Sequence, residues 1–134
     1  MPRGTPGFYF SIGDNLETAL FDTSSLINVV EADTADKVGI EKYPPAPSSF
    51  AVPDQVPGYL IPISLPGVVS FVPPAYVYDR PPMNAMNIVS ATQFLDNRIE
   101  FTLHVHSASF WNLGSREWKY SSWIIRTGDS DNRP

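Results

Sequence analysis

The chain lacks cysteine and has few basic residues, and both shortages exclude whole classes of function. Without cysteine there is no disulfide framework, thiolate nucleophile or cysteine-bound metal. Lys and Arg together number 9 against 14 Asp and Glu, a net charge of −5, and the basic residues are scattered. Phosphate backbones and anionic membrane surfaces need clustered positive charge, so we expect no nucleic acid and no such membrane surface as a partner.

Long apolar runs and long helix-forming windows are missing as well. No stretch approaches the roughly twenty apolar residues of a membrane span, so no membrane insertion is expected. Proline occurs 14 times, whereas about one residue in twenty is usual. Because proline lacks an N–H and clashes with the preceding helical turn, it leaves mainly short strands and ordered loops.

What the chain does contain is enough apolar material for a packed core, with 43% hydrophobic and 13% aromatic residues. The fold predicted from these features is all-β: an antiparallel β-sandwich, jelly-roll-like, with proline-rich extended loops. Its length fits one domain, which we place over residues 1–127. Residues 128–134 are polar and are expected to form a flexible C-terminal tail.

Local patterns predict several strands. Residues 8–12 and 16–21 are apolar runs separated by a Gly-Asp-Asn turn, which is typical of a β-hairpin. Residues 88–95 form another apolar run, and residues 118–127 are predicted to be the last strand. The clearest signal is residues 98–106, where apolar and polar side chains alternate with a period of two, as in a half-buried strand.

The polar face of that alternating strand carries the weak candidates for metal binding. His104 and His106 are the only histidines in the sequence, and Glu100 lies on the same predicted face. Residues two apart on one strand face lie about 7 Å from each other, and two imidazoles with a carboxylate are a known zinc ligand set. A solvent-facing strand surface carries polar residues in any case, so no metal or other cofactor is expected.

The serines lie outside any nucleophile elbow, and no glycine-rich phosphate loop is present, so the sequence predicts that the protein is not an enzyme. An aromatic cluster near the C-terminus suggests binding instead. Trp111, Trp118 and Tyr120 flank a loop with Asn112 and Arg116, and exposed aromatic rings can stack on sugars while neighbouring polar groups orient them. These five residues are the predicted ligand or partner site, the alternative role of tryptophan in such a domain being core packing.

Residues 7–15 (GFYFSIGDN), residues 19–24 (ALFDTS) and the closing residues 123–126 (WIIR) resemble a family. The family comprises small tail-tip or baseplate accessory (minor tail) proteins of long-tailed, lambda-like bacteriophages. The resemblance implies a structural virion protein that acts through protein–protein interfaces and possible host adsorption. Its implied partners are other tail or baseplate proteins, further copies of itself and a host-surface glycan, and its location the virion tail, assembled in the host cytoplasm. The alternative function is a lectin-like, carbohydrate-binding module.

Overall fold

The computed structural model describes residues 5–80, 86–105, 107–122 and 125–127, and strands dominate it. Two short α-helices, α1 (Ala32–Val38) and α2 (Thr92–Asp96), and a 3-10 helix (Ile40–Lys42) interrupt them. The chain is therefore mostly β, as the sequence predicts. The strands are, in order, β1 (Thr5–Ile12), β2 (Asn15–Asp22), β3 (Asn28–Glu31), β4 (Gly58–Leu60), β5 (Ile63–Leu65), β6 (Val69–Phe71), β7 (Pro74–Tyr78), β8 (Asn87–Ser90), β9 (Ile99–Leu103), β10 (Ser107–Asn112), β11 (Glu117–Ser122) and β12 (Ile125–Thr127).

β1 and β2 form the predicted hairpin, with Gly7 opposite Leu20 at its open end and Ile12 opposite Asn15 at the turn. Gly13 takes a left-handed conformation there, with φ of 60°. A Cβ at Gly13 would also lie 2.9 Å from the hydroxyl of Tyr43, so the turn needs glycine for two reasons.

The large sheet has the order β4-β7-β3-β8-β2-β1-β5-β6, and β12 pairs with the other end of β1. β8 is inserted between β2 and β3, two strands that are consecutive in sequence. It runs parallel to β2 and antiparallel to β3, and β3 runs parallel to β7. The predicted jelly-roll-like sandwich is not confirmed, and its purely antiparallel pairing is wrong at the two parallel contacts.

A second sheet of order β11-β10-β9 packs on the first through phenylalanine side chains. Phe110 of β10 lies with its ring centroid 6.2 Å from Phe8, 5.9 Å from Phe21 and 5.6 Å from Phe94. These four residues are fully buried. Edge-to-face contacts dominate the cluster, which is a favoured arrangement of aromatic rings. The two sheets and α2 thus share one core.

The predicted strand over residues 88–95 is wrong in its second half. β8 ends at Ser90, and α2 begins two residues later, with Phe94 pointing into the core. An apolar run of this length is ambiguous between strand and helix from its pattern alone. The alternating strand is confirmed in its first part as β9, in which Ile99 is buried and Phe101 packs against the core. It ends at Leu103, before the predicted end at residue 106, and Leu103 and Val105 are exposed where the alternation predicted packing.

The proline-rich region forms the short strands β4 to β7 and the loops around them, as predicted. Proline lacks a donor but keeps its carbonyl, and these carbonyls are used. Pro44, Pro57, Pro62 and Pro73 each accept a backbone hydrogen bond, at 2.8 Å to 3.3 Å.

No helix in the described part of the chain is long and apolar enough to cross a membrane. The predicted tail, residues 128–134, lies outside the described residues.

Two asparagines, Asn28 and Asn87, are buried among the described residues, and the hydrogen bonds of Asn87 join several elements of the large sheet. Asn87 on β8 donates from Nδ2 to the carbonyl of Thr18 and to the hydroxyl of Thr34, both at 3.0 Å, and its Oδ1 accepts the N–H of Glu31 at 3.0 Å. Its amide therefore joins β2, β3, α1 and β8. A buried amide that loses its partners leaves unpaired polar groups, which makes this residue costly to replace.

We predict that Asn87→Ala lowers the free energy of unfolding by about 3 kcal/mol, because it leaves buried partners without a hydrogen bond. Urea denaturation followed by tryptophan fluorescence measures the change. Asn97→Ala is the control, since Asn97 is exposed and donates only to the carbonyl of Gln93. Its cost should stay below about 1 kcal/mol. Equal losses in the two variants would contradict the structural role of Asn87.

Glu31, at the junction of β3 and α1, has a pKa raised above its ordinary value of 4.5, mainly because burial penalises its charge and secondly because Asp33 is near. A carboxyl whose pKa is raised by folding stabilises the protein below its unfolded pKa, and this contribution disappears as the pH rises through its folded pKa. We therefore predict that Glu31→Gln raises Tm relative to the parent protein more at pH 7 than at pH 4. Asp33→Asn should reduce that pH-dependent gain, whereas a gain independent of pH would contradict the prediction.

Candidate functional site

The loop between β2 and β3, residues 23–27, crosses the end of β8, and we call it the crossing loop. β8 holds it at two points. The hydroxyl of Ser90 donates to the carbonyl of Ser25 at 2.6 Å, and the N–H of Ala91 donates to the carbonyl of Asp22 at 3.0 Å. The backbone on both sides of the loop is therefore fixed by the strand below it.

Asp22, the last residue of β2, carries the only buried carboxylate among the described residues, at 7% exposure. Its Oδ1 accepts the backbone N–H of Ser24 at 2.8 Å and the hydroxyl of Ser24 at 2.7 Å. No hydrogen bond from the described residues reaches its Oδ2. Hydrogen bonds to a carboxylate are stronger than those between neutral groups, so the two bonds to Oδ1 give this side chain a defined orientation.

The rest of the crossing loop has an unusual burial pattern. Thr23 and Ser24 are exposed, and Leu26 is 77% exposed although it is apolar. Leucine is normally among the most buried residues and aspartate among the most exposed, so Asp22 and Leu26 reverse the ordinary preference.

A cleft of about 680 Å³ begins at the crossing loop. Three large apolar side chains that are exposed to solvent line it: Leu26, Phe50 and Val72. Asp22 itself is not part of the wall, and the cleft meets the loop at Leu26 and the end of β8 at Ser90. Its other lining residues are Ile27, Asn28, Pro47, Ser48, Ser49, Phe71, Pro73, Pro74, Tyr76, Thr92, Gln93, Asp96 and Asn97.

One side of the cleft is a hairpin made from residues 44–60. Leu60 donates its N–H to Pro44 at 2.8 Å, and Ala46 donates to Gly58 at 2.9 Å. The tip is tied to β7, because the hydroxyl of Tyr76 donates to the carbonyl of Pro47 at 2.8 Å. We call this element the proline hairpin, and its Phe50 is fully exposed at the cleft.

The predicted binding aromatics lie elsewhere, on the outer face of the small sheet. Trp111 and Trp118 are directly opposite on β10 and β11, with ring centroids 5.1 Å apart. Trp118 is 53% exposed and Tyr120 is 72% exposed. The alternative assignment of these rings to the core therefore does not hold for Trp118 and Tyr120.

The two polar members of that predicted site are engaged in the turn between β10 and β11. The Oδ1 of Asn112 accepts the N–H groups of Gly114 at 2.8 Å and Ser115 at 3.0 Å. Arg116 has a left-handed backbone, with φ of 60°, and its N–H donates to the carbonyl of Asn112 at 2.7 Å. Asn112 thus has a local structural role.

The weak metal candidates do not form a ligand cluster in the part of the chain that the structure describes. His104 Nε2 lies 2.9 Å from the hydroxyl of Ser109, and Glu100 is opposite Trp111. His106 lies outside the described residues. Among those described, no three His, Cys, Asp or Glu side chains come close enough to hold a metal ion.

Comparison with solved structures defines the fold class as that of retroviral-protease-like domains, which have an aspartic protease fold. The retroviral protease-like domain of Ddi1 from Leishmania major superposes with a TM-score of 0.60 at 14% identity, covering 93% of this chain and 98% of that one. The EIAV protease in complex with the inhibitor HBY-793 gives 0.51 at 18% identity, covering 74% and 93%. No family model and no curated protein matches the sequence.

These matches overturn the functional predictions made from the sequence. The phage-tail resemblance is wrong, and with it the structural virion role and the carbohydrate-binding alternative. The prediction that the protein is not an enzyme is also contradicted, because the fold is one of protease-like domains. The resemblance in residues 7–15 and 19–24 reflected a hairpin that many β proteins share. The predicted tail partners and tail location rested on that resemblance alone.

The sequence carried one signal for Asp22 that the strand patterns obscured. An apolar run, Ala19 to Phe21, ends directly in an aspartate followed by three hydroxyl residues, which is a composition typical of a turn. A carboxylate at the end of a buried strand is also a common position for a catalytic group. Which of the two applies depends on the position of β8, which no local pattern reveals.

Proposed function

We propose that this protein is a peptidase of the aspartic type, in which Asp22 supplies one of two catalytic carboxylates. The observation that carries the proposal is the buried Asp22 carboxylate, which is oriented by Ser24 at the start of the crossing loop whose Leu26 lines the cleft. The protease-like fold supports the proposal, because it is the architecture in which the solved neighbours carry protease-like domains. The fold alone establishes architecture and not activity. In this proposal the large sheet is curled as in the protease-like domains and does not form a jelly roll.

Amide hydrolysis at such a site is general acid–base catalysis by two carboxylates that share one proton. The ionised carboxylate takes a proton from water as the water oxygen attacks the amide carbon. The protonated carboxyl donates a hydrogen bond to the carbonyl oxygen, which gains negative charge. The C–N bond then breaks, and a proton passes to the leaving amine, so that the products are a carboxylic acid and an amine.

The second carboxylate is proposed to come from a second copy of the chain. Among the described residues Asp22 is the only buried carboxylate, whereas the chemistry needs two within hydrogen-bonding distance. A two-fold symmetric pair brings the same residue of both copies to the axis. The exposed Thr23 and Ser24 on either copy would then lie at the contact. The homo-oligomer predicted from the sequence enters the proposal in this form.

The proposed substrate is a polypeptide segment in an extended conformation. The cleft lies between the crossing loop, α2 and the proline hairpin, and its exposed apolar residues suit bulky apolar side chains. Polar residues at the α2 end, Gln93, Asp96 and Asn97, give the same cleft a hydrophilic rim. A pocket of this mixed character binds through apolar contacts and is oriented by a few polar groups.

We predict that Asp22→Asn abolishes hydrolysis of an unstructured protein substrate, lowering kcat about a thousandfold, because the amide cannot exchange a proton with water. Peptide release is followed by mass spectrometry between pH 4 and pH 7. Asp14→Asn, in the exposed turn of the first hairpin, is the control and should retain activity. Full activity in Asp22→Asn would refute the proposal.

Mixing the parent protein with Asp22→Asn tests the shared site. If each site needs Asp22 from both copies, an equimolar mixture at exchange equilibrium should lower the activity per parent chain to roughly half, since mixed pairs are inactive. A site complete within one chain would leave the activity per parent chain unchanged. Sedimentation equilibrium of the same mixture establishes that the copies pair and exchange.

We also predict that Phe50→Ala raises KM about tenfold with little change in kcat, because the substrate loses apolar contact area at the cleft. Steady-state kinetics on a peptide released in the first assay gives both constants. Leu16→Ala is the control, since Leu16 is a large exposed apolar residue on β2 that does not line the cleft. If both variants change KM equally, the cleft is not the substrate site.

A further inference from the structure

Ser24 directs two different donors to the same atom of Asp22. Its backbone N–H and its hydroxyl both end on Oδ1, at 2.8 Å and 2.7 Å. Any residue except proline at position 24 would supply the N–H, but only a residue with a side-chain donor can supply the second bond. Within the described residues of one copy of the chain, the hydroxyl makes no other hydrogen bond.

We infer that Ser24 is a positioning residue, whose hydroxyl determines which oxygen of Asp22 takes part in the reaction. This inference rests on the proposed function. An oxygen that already accepts two hydrogen bonds is a poor place for a proton, because the proton would meet two donors. The shared proton is therefore directed to Oδ2, the oxygen that faces away from Ser24. The hydroxyl thus selects one of two arrangements that the carboxylate could otherwise adopt by rotating.

The crossing loop does not need this hydroxyl for its own conformation. Ser90 and Ala91 hold the loop from β8, and Ser25 supplies its internal bond by donating from its hydroxyl to the carbonyl of Ile27 at 2.7 Å. Ser24 is exposed, and its hydroxyl bonds the functional carboxylate and not the backbone. The role is consequently one of orientation at Asp22.

The expected result is a separation of kcat from KM. Ser24→Ala should lower kcat about tenfold or more, the effect of one lost hydrogen bond to a charged group, while KM stays within about twofold. Ser24→Thr keeps a hydroxyl and should restore kcat to near the parent value. Ser24→Cys keeps the size but donates weakly, so its kcat should lie between those of the Thr and Ala variants.

Ser25→Ala is the matched control, since it removes a hydroxyl from the same loop without contact to Asp22. Its loss of kcat should be clearly smaller than that of Ser24→Ala. Thermal unfolding of each variant shows whether a loss of activity is a loss of folded protein. If Ser24→Ala does not fold, the comparison of the Thr and Cys variants decides, and equal kcat in these two would overturn the inference.

The results of these assays distinguish a failure of this inference from a failure of the proposed peptidase function. An inactive parent protein would overturn both. Hydrolysis that is lost in Asp22→Asn but unchanged in Ser24→Ala would leave the proposed function standing and refute only the role of Ser24. A rise in KM at constant kcat in Ser24→Ala would also refute it, because the hydroxyl would then contact substrate and not orient the carboxylate.

Discussion

The hydrogen bonds of Asn28 are the constraint on which the site geometry depends. Its Oδ1 accepts the N–H of Ser90 at 2.9 Å and the amide of Gln93 at 2.6 Å, while its Nδ2 donates to the carbonyl of Pro74 and to Gln93 Oε1, both at 2.9 Å. One buried side chain therefore uses both its oxygen and its nitrogen, and it joins β3 to β7, β8 and α2. Since unpaired buried amides are costly, these four elements have one favourable register.

That register keeps β8 between β2 and β3, and the crossing loop acquires its shape from it. A loop that passes over a strand end can adopt few conformations when hydrogen bonds from Ser90 and Ala91 hold its backbone and the residue before it. The carboxylate of Asp22 thus has a fixed orientation, which the proposed peptidase would need because preorganised polar groups are a main source of catalytic power. Hydrogen bonds fix the crossing loop, whereas part of the cleft wall is formed by proline-rich loops that present apolar side chains.

Local patterns predicted the parts of the fold that local interactions determine. The first hairpin follows from two apolar runs and a turn at Gly13, and β9 follows from alternation of apolar and polar side chains. The parallel pairing of Leu20 with Ile88 joins residues distant in sequence, and it has no local signature. For that reason the position of β8, the start of α2 and the meaning of Asp22 were not predictable, and the aromatic face was preferred as the site.

A carboxylate at position 22 is difficult to explain by stability alone. The two bonds from Ser24 could also be accepted by the oxygen of an asparagine, more weakly than by a carboxylate but without a charge to desolvate. Burial of an ionised group costs free energy unless it is paired with a charge, and among the described residues no basic side chain forms a salt bridge with Asp22. The hydrogen bonds of the loop alone therefore do not require an acid at this position. In the proposed peptidase, the exchangeable proton of a carboxyl group is what position 22 supplies beside the crossing loop, whose Leu26 lines the cleft.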